Sequence, residues 1–245
     1  MFEKIAVIIN GSSGSGNDDE DVETVKSSFA LSDAEVTINV ATNGDELTKL
    51  IDKAGESDAD VIVAGGGGGT ISYAASVAYK TGKILGVLPL GTLNNFSKDL
   101  NISADIADAV KIIIDGNVST IDLGEVNGRT FINNSSIGLY PKIVRRREKR
   151  QRLGRGKWVS ALWASLRMFK ISPFLKVSIT LDNKTFVRKT PFVFIGNNEY
   201  DVDLYNIGRR STINDGKLSV YFLHKGGRMG VITLLFKTVF GGILR

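Results

Sequence analysis

The pattern of apolar and polar positions changes character near residue 117. Before it, short apolar runs alternate with longer segments of helical spacing. Lys4–Ile9, Glu35–Ala41, Val61–Ala64 and Ile84–Leu88 read as strands, and segments near 18–31, 43–54, 71–81 and 103–115 read as helices. Strands alternating with helices imply a parallel sheet covered on both faces. After it, strand follows strand. Val118–Val126 alternates, Asn127-Gly128 is a hairpin turn and Thr130–Asn133 returns. Leu175–Leu181, Asp182-Asn183 and Thr185–Phe194 form a second hairpin, and Asn214-Asp215-Gly216 introduces a strand over Lys217–Leu223. The chain therefore divides into an α/β domain over residues 1–117 and an antiparallel β-sandwich domain over 118–245 with a basic amphipathic insertion. No repeat or low-complexity linker interrupts either half.

One stretch organises the first half. Val61-Ile-Val-Ala runs into five consecutive glycines, Gly65 to Gly69, then Thr70 and a helix-forming segment. A buried strand, a glycine loop and a helix N-terminus suit a phosphate, because glycine permits close backbone approach and free amides supply positive potential. A merely flexible loop is the competing account of the same residues. Val87-Leu-Pro-Leu-Gly91-Thr92-Leu-Asn94-Asn-Phe96 is a second apolar strand ending in a glycine and threonine turn. In a parallel sheet it lies beside the first loop, where ligands of open α/β sheets bind.

Composition narrows the chemistry. The 245 residues are long enough to bury a sizeable core, with ordinary apolar (42%) and charged (23%) content. The absence of cysteine excludes disulfides and thiolate metal sites. The single histidine, His224, argues against histidine-clustered metals and most Ser-His or Cys-His catalysis, and suits a structural role. Met1 to Asn10 lacks the basic and long apolar segments of a signal peptide, so a cytoplasmic location is expected. The net charge of +5 favours an anionic partner.

Much of that charge lies in one run from Lys142 to Lys157, including Arg145, Arg146, Arg147, Lys149 and Arg150. Trp158, Leu162, Trp163, Leu166 and Phe169 follow at helical spacing. Basic residues next to an aromatic stripe suit peripheral contact with an anionic membrane surface. A core helix after a solvated basic loop fits the same residues. No aromatic residue interleaves the run, so nucleic acid is not expected. Gly230–Leu244 is apolar but broken by Lys237 and two glycines, and reads as a docked helix. Nothing in the chain signals an oligomeric state.

The glycine motifs carry a family resemblance. Gly66-Gly67-Gly68-Gly69-Thr70 resembles the Gly-Gly-Asp-Gly-Thr signature of the diacylglycerol kinase catalytic-domain family, which includes bacterial lipid kinases and sphingosine kinases and is related to NAD kinases. Pro89-Leu-Gly-Thr-Leu-Asn-Asn-Phe96 is similar to its second signature, and Asn10-Gly-Ser-Ser-Gly14 to its first, with Gly11 in place of proline. The resemblance implies a Rossmann-like nucleotide-binding domain followed by a β-sandwich. It further implies transfer of the γ-phosphate of ATP to the hydroxyl of a diacylglycerol-type lipid, with Mg²⁺ as a cofactor. Non-catalytic nucleotide binding and NAD kinase activity are the alternatives. By the same resemblance ATP is held by Asn10, Ser12, Ser13, Gly14, Thr42, Gly66, Gly67, Gly68, Gly69, Thr70, Gly91, Thr92 and Asn94, and a metal by Asp215 and Asp122, although either aspartate also suits a turn or cap. Two departures stand out. Gly68 occupies the place of the signature aspartate, and the family's late Asp-Gly-Glu segment has no counterpart before Arg245, so no catalytic residue is assigned and the second domain reads as short at its C-terminus.

Overall fold

The computed structural model describes residues 2–12, 18–92, 94–138, 175–181, 183–200, 210 and 212–222. Strands β1 (Lys4–Asn10), β2 (Glu35–Ala41), β3 (Val61–Gly65) and β4 (Ile84–Leu88) form one parallel sheet in the order β2-β1-β3-β4. Alternation along β1 sorts the core into two layers. Ile5, Val7 and Ile9 pack with Val25 and Phe29 of α1 (Asp18–Phe29) and with Ala109, Val110 and Ile113 of α5 (Ile106–Ile114). Ala6 and Ile8 face the other way, onto Leu47, Ile51 and Ala54 of α2 (Gly44–Glu56) and Ile71, Ala74, Ala75 and Ala78 of α3 (Gly68–Thr81). Because both faces are covered, β3 is buried at all five positions and reads as an unbroken apolar run. Each such valine or isoleucine contributes about 1.5–3 kcal/mol by leaving water.

The elements depart from the sequence reading in identifiable places. Helix α3 starts at Gly68 rather than near Ile71, because Gly67 takes the cap position and the glycines after it enter the first turn. A short helix, α4 (Asn95–Asp99), precedes α5 and has no clear signal of its own in the sequence. The alternating stretch 118–126 forms a strand only at β5 (Gly124–Val126), which pairs with β6 (Arg129–Phe131). Asn127 and Gly128 turn between them with φ of 50° and 72°, the left-handed pair that a two-residue hairpin needs. Thr130 of β6 donates its hydroxyl to Ser76 of α3 at 3.2 Å.

The remaining strands are β7 (Asn134–Gly138), β8 (Leu175–Leu181), β9 (Lys184–Thr190), β10 (Phe192–Asn197) and β11 (Leu218–Phe222). β8 and β9 form the expected antiparallel hairpin, with Asn183 left-handed at φ 63°. The run expected to continue to Phe194 breaks at Pro191, which has no amide hydrogen for a ladder. After the break β10 pairs antiparallel with β7, in a sheet of order β11-β10-β7. The fold class is as expected, a parallel α/β unit followed by antiparallel strands. By contacts, one compact unit falls within Met1–Asn133, Asn197–Val202 and Asn206–Lys217, and the other within Asn134–Gly196, Asp203–Tyr205 and Leu218–Arg245. Ser13, Gly14, the basic run with Arg145, Arg146, Arg147, Lys149 and Arg150, the stripe beginning at Trp158, and the apolar stretch 230–244 lie outside the described residues.

Candidate functional site

In a parallel sheet every strand ends at the same edge, so Asn10, Ala41, Gly65 and Leu88 all open toward one side. The chain leaves β1 for β2 in one direction and β3 for β4 in the other, which makes the β1/β3 junction the switch point where such sheets bind ligands. Asn10 ties this junction together. Its Nδ2 donates to Thr70 Oγ1 at 3.1 Å, and its Oδ1 accepts the Ser12 amide at 3.0 Å. Ser12 in turn donates its hydroxyl to the Thr42 carbonyl at 2.8 Å. Three loops from β1, β2 and β3 are thereby linked.

The turn after β3 is built for close backbone approach. Gly66 has φ 151°, a value L side chains rarely adopt, and Gly67 caps α3 in extended geometry. The first helical bond runs from the Ile71 amide to the Gly67 carbonyl at 3.1 Å. The amides of Gly68, Gly69 and Thr70 come before it and have no carbonyl to bond within the helix, so they face outward with the positive end of the dipole. A Cβ at Gly67, Gly68 or Gly69 would meet nothing within 4 Å, which shows an open cradle. No acidic residue occupies the first turn.

The loop after β4 closes against this turn. A Cβ on Gly91 would lie 2.7 Å from the Gly66 carbonyl oxygen and 3.0 Å from the Gly67 Cα, so only glycine fits. Asn94, left-handed at φ 49°, fixes the loop from inside by accepting the Gly91 amide at 2.8 Å and donating to the Pro89 carbonyl at 2.6 Å. Thr92 is exposed between them.

Thr42 is oriented differently from a simple ligand contact. Its hydroxyl and its amide both donate to Glu46 Oε2, at 2.6 and 2.8 Å, and Asn43 Oδ1 accepts the Glu46 amide at 2.9 Å. This reciprocal cap starts α2. The Thr42 hydroxyl, and secondarily its amide, hold the Glu46 carboxyl below its ordinary value.

Asp122 and Asp215 meet in one turn. Asp122 Oδ2 accepts the Gly216 amide at 2.6 Å and its own amide donates to Ile213 O at 2.9 Å. Asp215 Oδ2 accepts the Thr212 hydroxyl at 2.6 Å. Each carboxylate already closes the turn with one oxygen. Among the described residues no group of three or more His, Cys, Asp or Glu could hold a metal ion.

The sequence reading missed a buried polar knot behind α4. Arg210 pairs with Asp99 at 2.7 Å and also donates to the carbonyls of Ile132 and Asn197. Its guanidinium lies over the rings of Phe96 and Tyr200. Asn197 Nδ2 donates to the Asp122 and Ile132 carbonyls at 2.7 and 2.8 Å. No local pattern announces this, since an arginine and an aspartate so far apart each read as solvated.

Comparison with known proteins agrees with this architecture. Residues 4–126 match the family described as the diacylglycerol kinase catalytic domain. The chain is 28% identical to a YegS-like probable lipid kinase of Klebsiella pneumoniae (strain 342), over 75% of this chain and 63% of that protein. It is 38% identical to a diacylglycerol kinase of Staphylococcus epidermidis (strain ATCC 12228), over 38% of this chain and 30% of that protein. The matches thus span less than two thirds of those relatives. A crystal structure of a diacylglycerol kinase from Bacillus anthracis superposes with a TM-score of 0.70 at 24% identity, covering 96% of this chain and 78% of that one. Among the described residues no helix is long and apolar enough to cross a membrane.

Proposed function

Because the chain belongs to the diacylglycerol kinase catalytic domain family, we propose that it is an ATP-dependent lipid kinase acting on the hydroxyl of a diacylglycerol-type lipid. The observation that carries this reading is the junction of the two glycine loops, where Gly91 lies against Gly66 beside the open first turn of α3. In it the polyphosphate is held by the amides of Gly66 to Thr70, flanked by Gly91, Thr92 and Asn94 from β4 and by Asn10, Ser12 and Thr42 from the other side. The glycine geometry fits phosphate, since close approach needs no side chain there and the helix end favours negative charge.

Phosphoryl transfer also calls for a carboxylate to take the hydroxyl proton and for charge neutralisation by a divalent ion. The loops offer neither. Asp122 and Asp215 stand as the proposed oxygen ligands for Mg²⁺, and Gly68 stands where the signature has aspartate, so turnover is expected to be low. Losing a general base costs about 10² to 10⁴ in rate. The same lack of carboxylates favours a second reading, a nucleotide-binding protein without catalysis.

Radiolabelled ATP presented with diacylglycerol, sphingosine, phosphatidylglycerol and NAD, to the protein and to Gly68→Asp, separates these readings. Labelled lipid supports the kinase, and labelled NAD would replace it with an NAD kinase. Nucleotide binding with no labelled product from either protein establishes the second reading. The basic run around Arg145–Arg147 and Trp158 is proposed to bring the protein to an anionic membrane surface.

A further inference from the structure

Charge is sorted along this chain far more sharply than its net value of +5 conveys. Residues 1–133 carry 9 Lys and Arg against 20 Asp and Glu, a net −11, whereas residues 134–245 carry 22 against 6, a net +16. An anionic surface therefore repels the first part and attracts the second. Within the second part, the β8–β9 hairpin shows how basic side chains are presented. We infer that the outer face of this hairpin docks on an anionic lipid bilayer. This surface is distinct in sequence from the arginine run at 145–147, is independent of the nucleotide site, and lies beyond the residues 4–126 that match the family.

Alternation gives the hairpin two unlike faces. Val177, Ile179, Phe186 and Arg188 are half-buried on one, with the Arg188 guanidinium 5.2 Å from the centre of the Phe186 ring. The other face is exposed and consists of three cross-strand pairs, Lys176 with Lys189, Ser178 with Val187 and Thr180 with Thr185. Opposite charges or paired hydroxyls stabilise such positions, and directly opposed like charges destabilise them. Thr180 and Thr185 follow that rule, with their hydroxyls 2.9 Å apart. Lys176 and Lys189 break it, and no carboxylate among the described residues pairs with either. The single acid between Leu175 and Thr190 is Asp182, six and seven positions from the two lysines. A repulsion that the hairpin leaves unneutralised is relieved by an external layer of negative charge. Val187, 49% exposed on the same face, adds an apolar side chain that the boundary between headgroups and acyl chains takes up.

The class of partner follows from the side chains. Lysine is a compact point charge suited to a diffuse layer of headgroups, whereas arginine grips a single phosphate bidentately. The one arginine of the hairpin, Arg188, is on the opposite face. No aromatic residue stands among the outer-face pairs to stack a base, which disfavours single-stranded nucleic acid.

Partition onto vesicles of phosphatidylglycerol mixed with phosphatidylcholine tests this in the full chain. Lys176→Gln with Lys189→Gln is expected to lower partition about 30-fold, at about fivefold for each lysine near the surface. Its Tm should not fall, because the change removes a like-charge contact. Lys49→Gln with Lys53→Gln alters the net charge equally on exposed positions of α2 and should change partition less than about twofold. The chain has no cysteine, so one introduced thiol can carry an environment-sensitive fluorophore. At Ser178→Cys its emission should shift to the blue with these vesicles and stay fixed with phosphatidylcholine alone, whereas at Ser27→Cys of α1, also exposed, it should stay fixed with both. The inference is overturned if the unaltered protein does not bind the vesicles, if the hairpin variant binds as well as the unaltered protein, or if the α2 variant loses as much. Loss confined to the substitutions at Arg145, Arg146 and Arg147 also overturns it and leaves the arginine run as the membrane contact. A Ser178 label that answers to polyuridylate and not to vesicles replaces the bilayer with a nucleic acid.

Discussion

Arg210 and Asp99, 111 positions apart, form a buried ion pair in which the guanidinium donates twice to one carboxylate oxygen, at 2.9 and 2.7 Å. Their side chains are 1% and 6% exposed. Asp99 ends α4, the helix that begins immediately after Asn94, so the pair secures the loop that Asn94 folds around Gly91. Arg210→Met leaves a buried carboxylate without its partner and is expected to cost about 3–5 kcal/mol. For a chain of this length that lowers Tm by roughly 6–20 °C. Replacing both, Asp99→Leu with Arg210→Met, should recover much of the loss, because two apolar residues avoid the desolvated charge. A single variant that melts with the unaltered protein would show that the pair holds nothing in place.

Gly91→Ala tests the contact between the two glycine loops. The added methyl would stand 2.7 Å from the Gly66 carbonyl oxygen, a backbone atom that moves only if the cradle moves. Overpacking of this kind costs about 1–3 kcal/mol. ATP affinity is expected to fall about tenfold while the far-ultraviolet circular dichroism stays unchanged. Affinity equal to that of the unaltered protein would detach this loop from the site.

Glu46 gives a pH signature. Its folded pKa lies below the ordinary 4.5 because the Thr42 hydroxyl and amide donate to the carboxylate. A depressed acid contributes stability that is fully present above its unfolded value and is lost as pH falls through the lower, folded one. Urea midpoints measured from pH 5 downward should therefore drop less steeply in Glu46→Gln than in the unaltered protein. Parallel profiles would indicate that the cap contributes no ionisation-linked stability.

Arg145, Arg146 and Arg147 changed together to glutamine should weaken binding to vesicles rich in anionic lipid. Each basic residue near such a surface is worth about 1 kcal/mol, screened over a Debye length of about 8 Å at physiological salt. Binding of the unaltered protein should accordingly rise with anionic lipid and fall with salt. Sedimentation that ignores both the substitutions and the salt would return these arginines to a solvated loop.

The sequence by itself determined the order of strands and helices in the first half, because period and composition there follow directly from burial. β3 is apolar at every position since both of its faces are covered, and Asn127-Gly128 turns because asparagine and glycine accept positive φ. It also displayed the loop after β3, whose five glycines, Gly65 to Gly69, are contiguous in the chain. What only the tertiary structure decided depends on distance in space. That α3 begins at Gly68 followed from where Gly67 could cap it, and that 185–194 splits at Pro191 followed from which strand lies beside each part. The sequence set the loop after β4 beside the glycine loop, but the close approach of Gly91 to Gly66 is a distance only the fold supplies, and the pairing of Arg210 with Asp99 joins segments whose local sequences carry no trace of one another. A buried charge reads as a surface charge until its partner is found, since only the folded chain brings the two together and removes both from water.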